Sequence, residues 1–395
     1  MRIFIRLLQV LVGVLFIVSG LVKANDPLGL SYKMQEFFEL WTSSLSQSHF
    51  FLKGILVPFF DYLHVHSLFL AVAMIALEIV AGIALLIGWK RNFITTLLLV
   101  LIIFFSFLTG YAYLSGKFTN CGCFGDCLPI TPLTSFLKDI LLLLMILGLV
   151  LGRKFIAPVF TGSSRNITIV ISLLVSLGIQ WYALNYLPFA DCLPFRKGNN
   201  IAQQMKPPPG SVSDSFAIRF IYEKGGKQFE FSPEGLPADY TTYHYVDRVD
   251  RLIRKGNAEP AIKGFSLTGR SGEDSVNVVL SQPAAILLFI QDPGDEKWIG
   301  DFKEVTDVAS QSHVPVYVAT STADSVQNLL DRNSINAQVF SCDFTIIRTA
   351  ARTSPTLYLL QNGTIINKYG NRKLKTAIPV IRNLSSGNPS GPARL

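Results

Sequence analysis

The chain has 395 residues, half of them hydrophobic and only 16% charged, with a formal net charge of +8. That apolar balance excludes an ordinary soluble protein and fits a membrane protein with room for two or three domains. The basic excess is not a nucleic-acid signature, because it is concentrated at the ends of apolar runs and no nucleic-acid partner is expected.

Five apolar runs, about 4–22, 67–88, 93–114, 132–151 and 167–188, each approach the roughly 20 residues that cross a bilayer as helix. Up to residue 188 the chain has 12 Lys+Arg and 7 Asp+Glu; the remainder has 23 and 20, as in a soluble domain. Arg2, Arg6, Lys90, Arg91, Arg153, Lys154 and Arg165 fall at alternate ends of the spans. Lys23, Lys33, Lys53 and Lys117 on the other side are mixed with Asp26, Glu36, Glu39, Asp61 and Asp126. The positive-inside rule then predicts a cytoplasmic N-terminus and an outer, periplasmic C-terminal part in the bacterial inner membrane. The first run lacks a small-x-small cleavage site before Lys23 and reads as an uncleaved anchor. Trp181, Tyr182 and Tyr186 read as an interfacial belt at the outer end of the fifth run.

Three cysteines, Cys121, Cys123 and Cys127, share a short polar loop before the fourth span, and Cys192 follows the fifth span. All four are expected on the outer side, where disulfides persist. Cys121 and Cys123 point to opposite faces of extended chain, whereas Gly125 lets Cys123 and Cys127 meet across a turn. Cys123–Cys127 is therefore the expected pair. Thr131-Pro132 reads as a helix start, whose partial positive charge favours thiolate. Redox exchange, a structural disulfide and a metal site all remain open; no histidine lies at ligand spacing in the loop, and His64-Val-His66 is the available supplement, so no metal is assigned.

Glu78 lies mid-span, and Lys138 and Asp139 lie about two turns into the fourth span. Charges at such depth are costly and mark either a proton or cofactor pocket or an ion pair that sets helix register. Lys138 has the reach to snorkel outward or to approach Glu78, while Asp139 points elsewhere and reads as its own interfacial anchor.

The stretches Phe16 to Ala24 with Asn25-Asp26-Pro27, Leu77-Glu78 to Gly88, Cys121-Gly-Cys-Phe-Gly125 and Lys138-Asp139 resemble the DoxX/MauE group over about residues 1–155. The resemblance implies a four-helix membrane bundle. MauE-type members are linked to methylamine utilisation, in maturation of a disulfide-rich periplasmic dehydrogenase subunit; DoxX-type members are linked to quinone-associated chemistry. Cys127, the fifth helix (156–188) and a large outer part depart from that pattern.

Residues 189–262 read as a linker, with Pro207-Pro-Pro-Gly210, and a β-hairpin across Gly225-Gly226. Tyr243 to Arg248 is a polar, mixed stretch without catalytic geometry. Over 263–388 strands and helices alternate, and Thr353-Ser-Pro355 before a strand and an Asn362-Gly363 hairpin resemble the thioredoxin fold. That resemblance implies a cis proline at Pro355. Where the fold bears its dithiol, this chain reads Gln291 to Trp298 without cysteine, and Cys342 is a lone thiol. The whole is a multi-span α-helical membrane bundle followed by an α/β thioredoxin-like extracytoplasmic domain. With a cysteine pair beside the bundle it also resembles bacterial vitamin K epoxide reductase homologues. That implies exchange through Cys123 and Cys127, resolution by Cys121 or Cys192, and electron transfer to a quinone. The alternative is a non-catalytic assembly or anchoring factor whose outer domain binds a client protein.

Overall fold

A computed structural model describes residues 1–118, 127, 130–159, 162–254, 256–294 and 296–385. Among these, five helices are long and apolar enough to cross a membrane: α1 (Arg2–Ala24), α4 (Ser67–Leu86), α5 (Arg91–Ser115), α6 (Pro132–Leu151) and α7 (Gly162–Tyr186). Their outward faces are apolar, as a bilayer requires, and the protein is membrane-embedded. Helices α1 and α4 run side by side at close range. A Cβ on Gly82 would lie 2.8 Å from the Gly13 carbonyl oxygen, so a glycine pair sets their spacing. Helix α5 packs on α6, and α7 lays Ser172, Ser176 and Ala183 inward and contacts α4.

Two further helices, α2 (Pro27–Gln47) and α3 (Lys53–Val65), fill what the hydropathy pattern left as a loop between the first two spans. The start of α2 is capped: Asp26 accepts from the Gly29 amide at 3.0 Å, and Pro27 takes the first helical position. Helix α3 has 13 residues, too few to span, and buries none of them. Ile55, Phe59 and Tyr62 are exposed on it.

Past α7 the chain enters an α/β region. The short helix α8 (Ile201–Gln204) is followed by a three-stranded antiparallel sheet in the order β2-β1-β3, with β1 (Ser215–Lys224), β2 (Lys227–Phe231) and β3 (His244–Arg254). Gly225 and Gly226, both at positive φ, make the β1–β2 turn. The polar stretch expected from 243 is therefore a strand. The expected linker is also partly core: Phe195 and Ile201 are fully buried against the second sheet.

That second sheet begins after α9 (Val276–Leu280). It comprises β4 (Ala285–Ile290), β5 (Val316–Thr320), β6 (Gln338–Ser341), β7 (Thr356–Gln361) and β8 (Thr364–Gly370), in the order β6-β5-β4-β7-β8. Strands β4, β5 and β6 are parallel; β7 is antiparallel to β4 and to β8. Strand β4 is buried throughout because both faces are covered. Ala285, Leu287 and Phe289 face one core with Phe195, α9 and α12 (Phe344–Ala350). Ile286, Leu288 and Ile290 face the other, with α10 (Ile299–Gln311), α11 (Ala323–Arg332) and α13 (Ile378–Ser385). The Ser354–Pro355 peptide entering β7 is cis.

Candidate functional site at the junction of bundle and α/β region

Cys127 is bonded to Cys192, with the Cα atoms 4.8 Å apart. This corrects the expected Cys123–Cys127 pair; Cys121 and Cys123 lie outside the described residues. The cause is tertiary. After α7 the chain returns over the C-terminal end of α1, where the Asn25 side chain brackets it. Asn25 Nδ2 donates to the Ala190 carbonyl and Asn25 Oδ1 accepts from the Ala190 amide, both at 2.9 Å. Asn25 Nδ2 also lies 3.9 Å from Cys127 Sγ. Asp191 then binds Lys368 Nζ of β8 at 2.6 Å. These contacts deliver Cys192 to Cys127, a partner that no local turn could nominate.

Two residues before Asn25, Lys23 points inward and pairs with Glu78 of α4 at 2.5 Å. Both are buried, and Ser19 Oγ lies 3.2 Å from the ammonium and 3.3 Å from Glu78 Oε2. Lys138 pairs with its neighbour Asp139 at 2.7 Å, and Thr109 Oγ1 donates to Asp139 at 3.0 Å. This corrects two expectations. Lys138 does not reach for Glu78, because antiparallel α1 brings Lys23 there first; and Asp139 is buried between α5 and α6 rather than anchored at the interface. All four charged groups line one cavity of about 50 Å³ with Ser19 and Phe105. That volume holds a few waters.

Helix α2 forms the seat on which the α/β region docks. Arg352 Nε meets Asp26 Oδ2 at 2.7 Å with both side chains nearly buried. Tyr32 donates to Gln291 Oε1 at 2.8 Å, and Arg348 donates to Gln35 Oε1 at 2.7 Å. The Arg348 and Arg352 guanidinium groups lie 4.6 and 5.4 Å from the centre of the Tyr32 ring. Burial raises the Tyr32 phenol, against the lowering effect of Arg352. Burial also lowers Lys368, although Asp191 works to raise it. Beside this seat, Ser354 Oγ accepts from the Gln291 and Asp292 amides at 3.2 and 3.3 Å and donates to the Asp292 carbonyl at 2.9 Å. The Pro355 turn and the Gln291 segment are thus one surface, and it faces α2.

Residues 1–152 match the family described as methylamine utilisation protein MauE. They form a MauE-like membrane domain. Residues 216–255, which contain the three-stranded sheet, match a domain of unknown function (DUF8463). Protein TlpB of Flavobacterium psychrophilum is 26% identical over 183 residues, 45% of this chain and 43% of TlpB. The chain thus spans less than half the length of that curated relative. No solved structure matches.

The MauE-like domain supplies Asn25, Cys127 and the four charged groups of the cavity; Cys192, Asp191 and Lys368 come from beyond it. Asn25, Asp26, Tyr32, Arg348, Arg352 and Lys368 were absent from the sequence-derived site. Of these, only Asp26-Pro27 carried a local signal, that of a helix start. Cys342 is a free, buried thiol pushed up to about 12 by burial first and by Asp343, which makes it a poor nucleophile. Among the described residues no three His, Cys, Asp or Glu side chains gather to hold a metal ion. His64 is instead 2.8 Å from Glu39.

Proposed function

We propose that the chain is a bacterial inner-membrane thiol–disulfide exchange factor for extracytoplasmic client proteins, with Cys127–Cys192 as the working disulfide. The distribution of Lys and Arg supports a cytoplasmic N-terminus and a periplasmic α/β region. The carrying observation is the position of that disulfide: it joins the MauE-like domain to the entry of the α/β region, beside the Asp26–Arg352 contact and the Lys368–Asp191 pair. In this scheme residues 263–388 are a thioredoxin-like domain that holds a client on the Pro355 and Gln291 surface and leaves the chemistry to the bundle.

Exchange balances as follows. A client thiolate attacks one sulfur of Cys127–Cys192, forming a mixed disulfide and releasing the other sulfur as thiolate. A second client thiolate closes the client disulfide and leaves both cysteines reduced. Two electrons and two protons then pass to a quinone, restoring the bond, with Cys121 or Cys123 available as relay thiols. The Lys23, Glu78, Lys138 and Asp139 cavity supports proton movement close to the site, because Lys23 and Asn25 are only two residues apart at the end of α1.

Thiol labelling of membranes poised in redox buffers tests this. Reversible labelling of Cys127 and Cys192 between about −180 and −270 mV, the range of catalytic dithiols, is expected. Protection that persists below about −300 mV marks a structural bond and overturns the exchange role. A second reading, a membrane anchor for the α/β region, is favoured by the way the disulfide and the Asp26–Arg352 pair clamp the two parts together. Client maturation that survives Cys127→Ser with Cys192→Ser selects it.

A further inference from the structure

At the outer end of α7 an open cavity of about 440 Å³ is lined by Tyr186, Lys297, Trp298, Asp301, Asn371 and Arg372. Two exposed cations of the 371–377 turn lean over the end of α7. The Arg372 guanidinium is 5.9 Å from the Trp181 ring centre, and Lys373 Nζ is 5.4 Å from that of Tyr186. Tyr182 stacks between Tyr186 and Phe189 at 5.0 and 4.6 Å. Trp and Tyr at the end of a span sit at the level of lipid headgroups, so the cavity opens at that level.

Its electrostatics are one-sided. Arg372 and Lys373 have no carboxylate within ion-pair distance among the described residues. Asp301, the acid in the wall, is already held by Lys375 at 3.2 Å. One hydrogen-bonding group is unused as well: among the described residues the buried side-chain oxygen of Asn371 has no partner, while its amide nitrogen donates to the Ser354 carbonyl at 3.4 Å. A buried acceptor without a donor is costly. The cavity therefore offers positive charge for a phosphate and an acceptor for a hydroxyl.

We propose that this cavity is a headgroup site for an anionic, hydroxyl-bearing glycerophospholipid of the phosphatidylglycerol type. The phosphate pairs with Arg372 and Lys373, and a headgroup hydroxyl donates to Asn371. A choline headgroup carries a compensating cation and no hydroxyl, so it satisfies neither requirement. The site is independent of the thiol chemistry and needs only that α7 spans the bilayer with the α/β region docked at its end.

The test uses the full chain reconstituted in phosphatidylcholine vesicles with graded phosphatidylglycerol, followed by native mass spectrometry of retained lipid. Selective retention of phosphatidylglycerol is expected. Arg372→Gln with Lys373→Gln, both exposed, should weaken it by about 25-fold, from roughly fivefold per cation near a bilayer surface. Persistence of the Cys127–Cys192 bond in that variant reports an intact fold. Equal retention of the two lipids, or a preference unchanged in the double variant, overturns the site. Displacement by inorganic phosphate reassigns it to a free anion and overturns the lipid.

Discussion

Replacing Lys23 by Met keeps the aliphatic stem and removes the charge that Glu78 faces. At the observed 2.5 Å separation the pair attracts by about 7 kcal/mol at an effective dielectric of 20. Desolvating the two ions costs several kcal/mol each, so the pair as a whole is close to neutral. Removing one partner is different, because it leaves an uncompensated buried charge. Lys23→Met and Glu78→Leu should each lose about 3–5 kcal/mol, while the two together should recover most of the loss. The assay is equilibrium unfolding in mixed micelles, followed by far-ultraviolet circular dichroism, over the full four-variant cycle. Losses below about 1 kcal/mol in both single variants would mean that water in the cavity screens the charges. A double variant as damaged as the sum of the singles would equally refute the argument.

Three further outcomes are expected. Arg352→Met strands Asp26 at the docking seat and should cost about 2–3 kcal/mol of docking. After reduction of Cys127–Cys192, limited proteolysis of the 187–212 segment should then accelerate about 30- to 150-fold, and unchanged cleavage would count against the seat. Cys342, with its thiol pushed up to about 12, should be about one part in ten thousand thiolate at pH 8 and resist alkylation until the chain unfolds. Its pKa is raised on folding, so its contribution to stability is complete below the unfolded value near 8.5 and falls as pH rises towards 12; rapid alkylation of folded protein would contradict the burial. A reporter active only in the periplasm, fused after Leu395, should be active, and activity of a cytoplasmic reporter there would reverse the proposed orientation.

The spans were legible because burial in lipid imposes long apolar runs, and β4 was legible because both its faces are buried. Strand β3 was not. Val246-Asp-Arg-Val249-Asp-Arg-Leu252 repeats every three residues, not every two, and the strand is exposed throughout, so no core selects its pattern. Lys23 looked like the end of a span because its partner is 55 residues away, and only the antiparallel approach of α1 and α4 reveals the pair. Asp26-Pro27 has the form of a helix start, but no helix was expected there, because the mixed composition that follows matches no span. The Cys127–Cys192 bond depends on Asn25 and Ala190, so cysteine spacing alone had no means of proposing it.

The Cys127–Cys192 bond joins positions 65 residues apart, and the fourth and fifth spans both lie between them. Those two helices and the turn on the opposite side of the bundle therefore belong to a covalent ring that passes twice through the bilayer. Cutting the chain inside that turn, between Arg153 and Val159, severs the polypeptide without separating its parts. The fragments travel together in denaturant and come apart only when a reductant opens the ring at Cys127–Cys192, which in the folded protein lies at the other end of the two helices. A break made on one side of the bilayer thus becomes visible through chemistry performed on the other.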